Sequence, residues 1–210
     1  MKTIYLIRHS APFIEIENYI DYKNVSWDEY NRNMILSSIG ENNAKKLCDI
    51  EELNNVSSIY SSDSYRAIGT AKYIADKNSM KIRLDPRINE RNLGCKTISE
   101  LPDEFSAKSF VDKNLKYGNG ESLNEVDKRF YNFLNEIING QDNKIVLVIH
   151  GMILMSYLQS ICEFEFNSNV FKINFNNKEV MNRKFKNPDI FKIEIEKGEV
   201  SNVTNIELEV

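Results

Sequence analysis

Four apolar residues, 4–7, run without a break into Arg8 and His9, and so short an apolar run predicts a buried strand over residues 3–8. Residues 13–35 keep no sustained period apart from a short helical pattern over 27–34. A firmer helix starts near Ser38, where Glu41 three residues on suggests a capping box and Ala44, Leu47 and Cys48 supply an apolar face. Residues 56–61 read as a second strand. The next helix, about 64–77, turns Ala67, Ile68, Ala71, Ile74 and Ala75 inward. Residues 81–84 form a short strand that stops at Asp85-Pro86, and 89–120 read mostly as loop with short helical pieces. Ser122 and Glu125 make a further capping box ahead of Val126, Phe130, Phe133, Leu134, Ile137 and Ile138 at helical spacing. Residues 144–149 are the most apolar strand. A helix carrying Leu154, Tyr157, Leu158 and Ile161 opens at Gly151. Residues 189–195 and 199–208 read as a hairpin turning at Lys197-Gly198.

Strands that alternate with helices predict an α/β fold: a three-layer α/β/α sandwich around a mostly parallel central sheet. No internal repeat or Gly/Ser/Pro linker breaks the chain, so one domain over residues 1–210 is expected. Sites in such folds lie beyond the carboxyl ends of strands. The chain has two histidines, and both sit there: His9 after the first strand, His150 after "KIVLVI".

Composition narrows the partners. Apolar residues make up 41% and charged residues 28%, with a formal net charge of −4. That balance argues against nucleic acid or an anionic membrane as partner, so an anion site must be built locally from chosen cations. The longest strictly apolar run, 145–149, is far short of a membrane span, and no signal peptide is visible. Cys48, Cys95 and Cys162 are few and lack CxxC spacing, which predicts a reducing, cytoplasmic setting. None has an arginine six positions on, so the loop of cysteine-based phosphatases is absent.

A single histidine at a strand end is usually incidental, but two in equivalent places, one preceded by Arg8, call for a shared purpose. The stretch "YSSDSYRAIGTA" adds Arg66 in the first turn of a helix, where the dipole disfavours a cation unless an anion binds beside it. The plainer alternative is a surface arginine pairing with Asp63. Two histidines and two arginines at one sheet edge suit phosphoryl transfer, whose equatorial oxygens need fixed positive charge. Arg8 and Arg66 would fork onto these oxygens, His150 would donate to a third, and the amides near Gly151 would help. His9 would attack phosphorus through one ring nitrogen while a backbone carbonyl held the other, and the arginines would keep its ring neutral. Glu90, in "RINERNLG", is the candidate acid for the leaving alkoxide. Glu121, in "NGES", is the reserve; the plain alternatives are an ordinary exposed glutamate for Glu90 and an electrostatic contribution just ahead of a helix N-terminus for Glu121.

These residues fall in a known order. The chain resembles the histidine phosphatase superfamily, the phosphoglycerate-mutase-like family. "IRHS" resembles its Arg-His-Gly opening, and "LSSIGENNA" its Leu-Thr-x-x-Gly-x-x-Gln-Ala helix start. "SSDSYRAIGTA" is similar to its Ser-x-x-x-x-Arg-Ala-x-x-Thr-Ala segment, "NERNLG" to its acid loop, and Gly120-Glu121-Ser122 and His150-Gly151 to its later motifs. The resemblance covers roughly residues 3–160. It implies metal-independent phosphomonoester chemistry through a phosphohistidine on His9, with no cofactor and a small phosphorylated molecule or a phosphoprotein as substrate. The sequence departs from the family at Ser10, where the substrate-side glycine is usual, at Ala11 and Pro12, at Met155-Ser156, where many relatives carry an arginine, and at "CKTISE", which lacks the usual aromatic and glycine.

Three readings follow. The first is a phosphatase. The second is a 2,3-bisphosphoglycerate-dependent phosphoglycerate mutase, for which no basic cluster is evident in 13–35 or 89–120. The third is an inactive phosphate-binding regulatory module, kept open by the substitutions at 10–12.

Overall fold

The computed structural model describes residues 1–13, 25–167 and 170–208. In chain order its elements are β1 (Lys2–Arg8), α1 (Trp27–Asn33), α2 (Ser38–Lys46), β2 (Ser58–Ser61), α3 (Tyr65–Lys77), β3 (Ile82–Leu84), α4 (Phe105–Val111), α5 (Leu123–Asn139), β4 (Lys144–Ile149), α6 (Gly151–Ile161), β5 (Glu163–Asn167), β6 (Val170–Phe175), β7 (Lys178–Arg183), β8 (Ile190–Glu196) and β9 (Glu199–Ile206). The main sheet has the order β3-β2-β4-β1-β8-β9. Its first four strands are parallel, and β8 and β9 close one side antiparallel.

Alternating side chains on β1 and β4 divide the core in two. Ile4, Leu6, Ile145, Leu147 and Ile149 face Phe130, Phe133 and Leu134 of α5 and Ile153 and Leu154 of α6. Tyr5, Ile7, Val146 and Val148 face Ala67, Ala71 and Ile74 of α3 and Leu47 beyond α2. This is the three-layer sandwich the alternation predicts, and it explains why β4 is apolar at successive positions: both of its faces are covered.

Two details of the expected pattern change. The cap of α2 is Ser37, whose side chain accepts from the Gly40 amide, and not Ser38. Glu41 is drawn away from the cap by Tyr73, at 2.6 Å, and by Lys72 on α3. The Ser122–Glu125 capping box forms in full at the start of α5. Residues 163–183, for which the pattern predicts no element, form a three-stranded antiparallel sheet, β5-β6-β7, that adds Phe171, Ile173 and Met181 to the larger core. Its β6–β7 turn carries Asn176 and Asn177 at φ 50° and 62°, the left-handed pair a tight hairpin needs. The segment before Leu36, expected to be irregular with a short helix over 27–34, holds α1 where predicted; residues 14–24 lie outside the described residues.

Candidate active site

The parallel register of β1 and β4 sets Arg8 beside Ile149, so the next residues, His9 and His150, emerge side by side. Their ring centroids are 5.1 Å apart, and the His9 amide donates to the Ile149 carbonyl at 2.9 Å. The helix that follows β4 packs on one face of the sheet and those that follow β1 and β2 on the other. The crevice between β1 and β4 is therefore a switch point, where an open α/β sheet leaves room for a ligand.

Arg66 projects into this crevice from the first turn of α3 and is 2% exposed. It is not the surface arginine of the plainer reading: Asp63 pairs instead with Arg32, at 2.7 Å. The Arg66 Nε donates to His9 Nε2 at 3.0 Å, and a terminal nitrogen donates to His150 Nδ1 at 3.0 Å. Its remaining terminal nitrogen donates to the Asn31 carbonyl of α1. An arginine cannot accept, so these contacts assign both tautomers. His9 carries its proton on Nδ1, which donates to the Ser10 carbonyl at 2.8 Å, and offers a lone pair at Nε2. His150 carries its proton on Nε2 and donates to Ser62 Oγ at 2.7 Å. Ser62 passes its own proton to Asn89 Oδ1 at 2.9 Å.

Both imidazoles are buried and held well below their ordinary pKa. For His9 the larger cause is burial, the Arg66 charge comes second, and the Ser10 carbonyl opposes both. The arginines lower the ring as the sequence suggests, and burial adds the larger part. Burial likewise pulls Arg66 down to about 10, against the opposing pull of Glu90. Arg8 is lowered by burial too, again offset by Glu90 and Asp189. Its Nε is buried without a hydrogen-bond partner, and one terminal nitrogen reaches the Lys186 carbonyl at 3.3 Å. A Cβ added at Gly151 would sit 3.4 Å from that Nε, so the glycine keeps the space over the Arg8 guanidinium open.

The two candidate acids separate clearly. Glu90 lies at the crevice, where its carboxylate accepts from the Arg91 amide at 3.0 Å and from Met152, in the first turn of α6, at 3.3 Å. Glu121 is held by both Nε and a terminal nitrogen of Arg129 and by the Asn92 amide. Arg129 also ties down the Arg87 and Glu90 carbonyls, so Glu121 braces the loop that presents Glu90. Ser10 turns away from the crevice: its hydroxyl donates to the Gly40 carbonyl at 2.7 Å, and it meets His9 through its carbonyl. Asn187 supports the turn after β1 from the other side by donating to the His9 carbonyl.

The structure brings Arg8, His9, Arg66, Glu90, His150 and Gly151, all singled out from the sequence, to one place. Sequence reasoning misses Ser62, Asn89, Asn31 and Asn187. Ser62 lies inside the "YSSDSYRA" stretch, one residue past the end of β2, and that placement beside β4 was the available signal. Asn89 lies beside Glu90 in "RINERNLG", while Asn31 acts through its carbonyl and Asn187 from a distant loop, and these two leave no motif.

A parallel-sheet α/β sandwich with two histidines and two arginines at the switch point is a phosphate-handling architecture. The model of the histidine phosphatase superfamily (branch 1) matches residues 4–190, and the chain belongs to that superfamily. Proteins named probable phosphoglycerate mutase GpmB are similar: that of Yersinia enterocolitica is 27% identical over 169 residues, 77% of this chain and 75% of its own. That of Erwinia tasmaniensis is 28% identical over 163 residues, 73% and 72% of the two chains. Among solved structures, a mycobacterial glucosyl-3-phosphoglycerate phosphatase in complex with inorganic phosphate shares the fold with a TM-score of 0.68 at 18% identity, over 100% of this chain and 98% of its own. A putative alpha-ribazole-5'-P phosphatase from Escherichia coli does so at 0.64 and 16%, over 98% and 96%. Among the described residues, no helix is long and apolar enough to cross a membrane.

Proposed function

We propose that the protein hydrolyses phosphomonoesters through a phosphohistidine on His9. The observation that carries this reading is the state of the His9 ring: neutral, its Nδ1 proton held by the Ser10 carbonyl, its Nε2 lone pair turned toward Arg66. An entering phosphate would take the Arg66 donors away from the two imidazoles and fill the unpartnered Arg8 Nε. Nε2 then attacks phosphorus, the P–N bond forms, and the P–O bond to the alcohol breaks. In the acid form that this step requires, Glu90 gives its proton to the departing oxygen. The resulting carboxylate then takes a proton from the water that attacks the phosphohistidine, and His9 is released with inorganic phosphate.

The positive charge for the transferred group comes from Arg8 and Arg66, which supports chemistry independent of metal and cofactor. A cavity of about 650 Å³ adjoins Glu90, a size that suits a small phosphorylated molecule better than a folded phosphoprotein. Three free cysteines fit the cytoplasm as its setting. The names of the curated relatives favour a mutase as the second reading, in which the phosphoryl group returns to an alcohol.

The test is hydrolysis of an aryl phosphate by the purified chain, with trapping of acid-labile phosphate on the protein. Turnover that is lost in His9→Ala, with the label lost too, supports the reading. Wild type and His9→Ala equally inert over a broad phosphoester panel would leave the phosphate-binding module instead. Transfer of the label to monophosphoglycerate faster than to water would make it a mutase.

A further inference from the structure

The cavity beside Glu90 has an unusual lining. Among the described residues, Pro86 is the only apolar side chain that lines it. It also has three arginines, and each is already engaged. Arg91, 1% exposed, donates to the Glu121 carbonyl, Ser109 Oγ and the Leu115 carbonyl. Arg129 is bound to both oxygens of Glu121, and Arg32 to Asp63.

The carboxylates outnumber them. Asp28, Glu29, Asp63, Glu90 and Glu121 all reach this wall. Asp28 accepts from the Leu93 and Gly94 amides, and Glu29 has no partner among the described side chains that line the cavity. The remaining polar surface is neutral. Asn31, Asn33 and Asn119 line the cavity, and their side-chain amides make no hydrogen bond to any described residue. Each amide can both donate and accept.

Such a wall recognises hydroxyl groups. A second anion on the substrate would meet surplus carboxylate and, among the described residues that line the cavity, no uncommitted cation, and an apolar group would strip water from amides and return nothing. We propose that this cavity seats the leaving alcohol, and that the alcohol is a neutral polyhydroxylated one, a sugar or polyol monophosphate with no second acidic group. The proposal rests on the phosphatase reading of His9. Two features join the cavity to the reacting centre. Glu90 lines it and reaches the amide of Met152, two residues past His150. Asn31 lines it and accepts from Arg66 with its carbonyl.

The experiment compares kcat/KM of the full chain for glucitol 6-phosphate and 6-phosphogluconate, which differ by a terminal hydroxymethyl against a carboxylate. p-Nitrophenyl phosphate is the control for the chemistry. The expected result is a preference of about tenfold or more for the glucitol ester. In Glu29→Lys that ratio should shrink by several-fold, because a cation then faces the carboxylate. Equal rates on the pair, a preference for 6-phosphogluconate, an unmoved ratio in Glu29→Lys, or a tenfold preference for phosphoethanolamine would each overturn the proposal while His9-dependent aryl phosphate turnover kept the phosphatase reading. Loss of that control turnover would instead remove the phosphatase reading itself.

Discussion

Arg66 Nε lies 3.0 Å from His9 Nε2, so the arginine donates into the very lone pair that would attack phosphorus in the proposed reaction. One side chain thus holds both imidazoles, and in the proposed reaction an anion would have to draw the guanidinium away. Replacing it should cost twice, in charge and in orientation. Arg66→Ala is expected to lower kcat/KM by about 10²–10³-fold. Arg66→Lys should recover little, since an ammonium cannot bridge two imidazoles and an anion in one plane. Steady-state kinetics on an aryl phosphate would show both effects. If Arg66→Ala keeps wild-type kcat/KM, the arginine does not serve the reaction.

Ser62 fixes the second histidine. Its hydroxyl accepts from His150 Nε2 at 2.7 Å and donates to Asn89. Ser62→Ala removes the acceptor and frees the ring to change tautomer, with an expected loss of about tenfold or more in kcat/KM. Ser62→Thr keeps the hydroxyl and should recover much of it. A merely structural part for Ser62 would lower the melting temperature of both variants and leave the pH–rate profile of the folded protein unmoved.

Protonation of the two imidazoles should govern stability in mild acid. Both pKa values are lowered in the folded protein, chiefly by burial and next by Arg66, while in the unfolded chain a histidine titrates near about 6.5. The unfolded chain therefore binds more protons below that value. The stabilising contribution is complete above it and is lost as pH falls toward the folded values. The melting temperature should drop between about pH 6.5 and 5, ahead of the carboxylate range. His150→Gln should flatten that slope, and an unchanged slope would mean that His150 already titrates normally in the fold. For the same reason the acid limb of kcat/KM should lie below the usual histidine range.

Glu90 is expected to matter in proportion to how badly the leaving group needs a proton. Glu90→Gln should slow hydrolysis of an alkyl phosphate by about 10²–10⁴-fold and that of p-nitrophenyl phosphate much less. Equal losses on the two substrates would assign Glu90 to positioning alone.

Gly40 meets the strand end that carries the nucleophile. A Cβ there would come 2.0 Å from the Ala11 carbonyl oxygen, and the Gly40 carbonyl accepts from Ser10. Gly40→Ala must push α2 off the turn after His9. The expected cost is about 1–3 kcal/mol of stability, read as a lowered melting temperature, together with reduced turnover.

The short-range features of this chain were open to reading from the sequence. The apolar runs of β1 and β4, the helical spacing of α3 and α5, the Ser122–Glu125 box and the Lys197-Gly198 turn all depend on residues within a few positions of one another. The sheet β5-β6-β7 was missed because its strands face the core on one side only, and alternating Glu, Lys and Asn hide the apolar residues between them. The Ser37 cap was missed because Tyr73 and Lys72, from a separate helix, claim the carboxylate that the local pattern offers to Ser38.

Local order along the chain was enough to place both histidines at strand ends, since a strand's apolar pattern announces where it stops. Only the folded molecule could decide which nitrogen of each ring bears the proton, that burial outweighs the arginines in keeping the rings neutral, that Glu90 reaches the crevice while Glu121 is bound by Arg129, and that Arg66 lies on the nucleophile. Most of those outcomes depend on contacts between residues 57 to 88 positions apart, and periodicity, which reports only which way a side chain faces, carries no record of what it meets there.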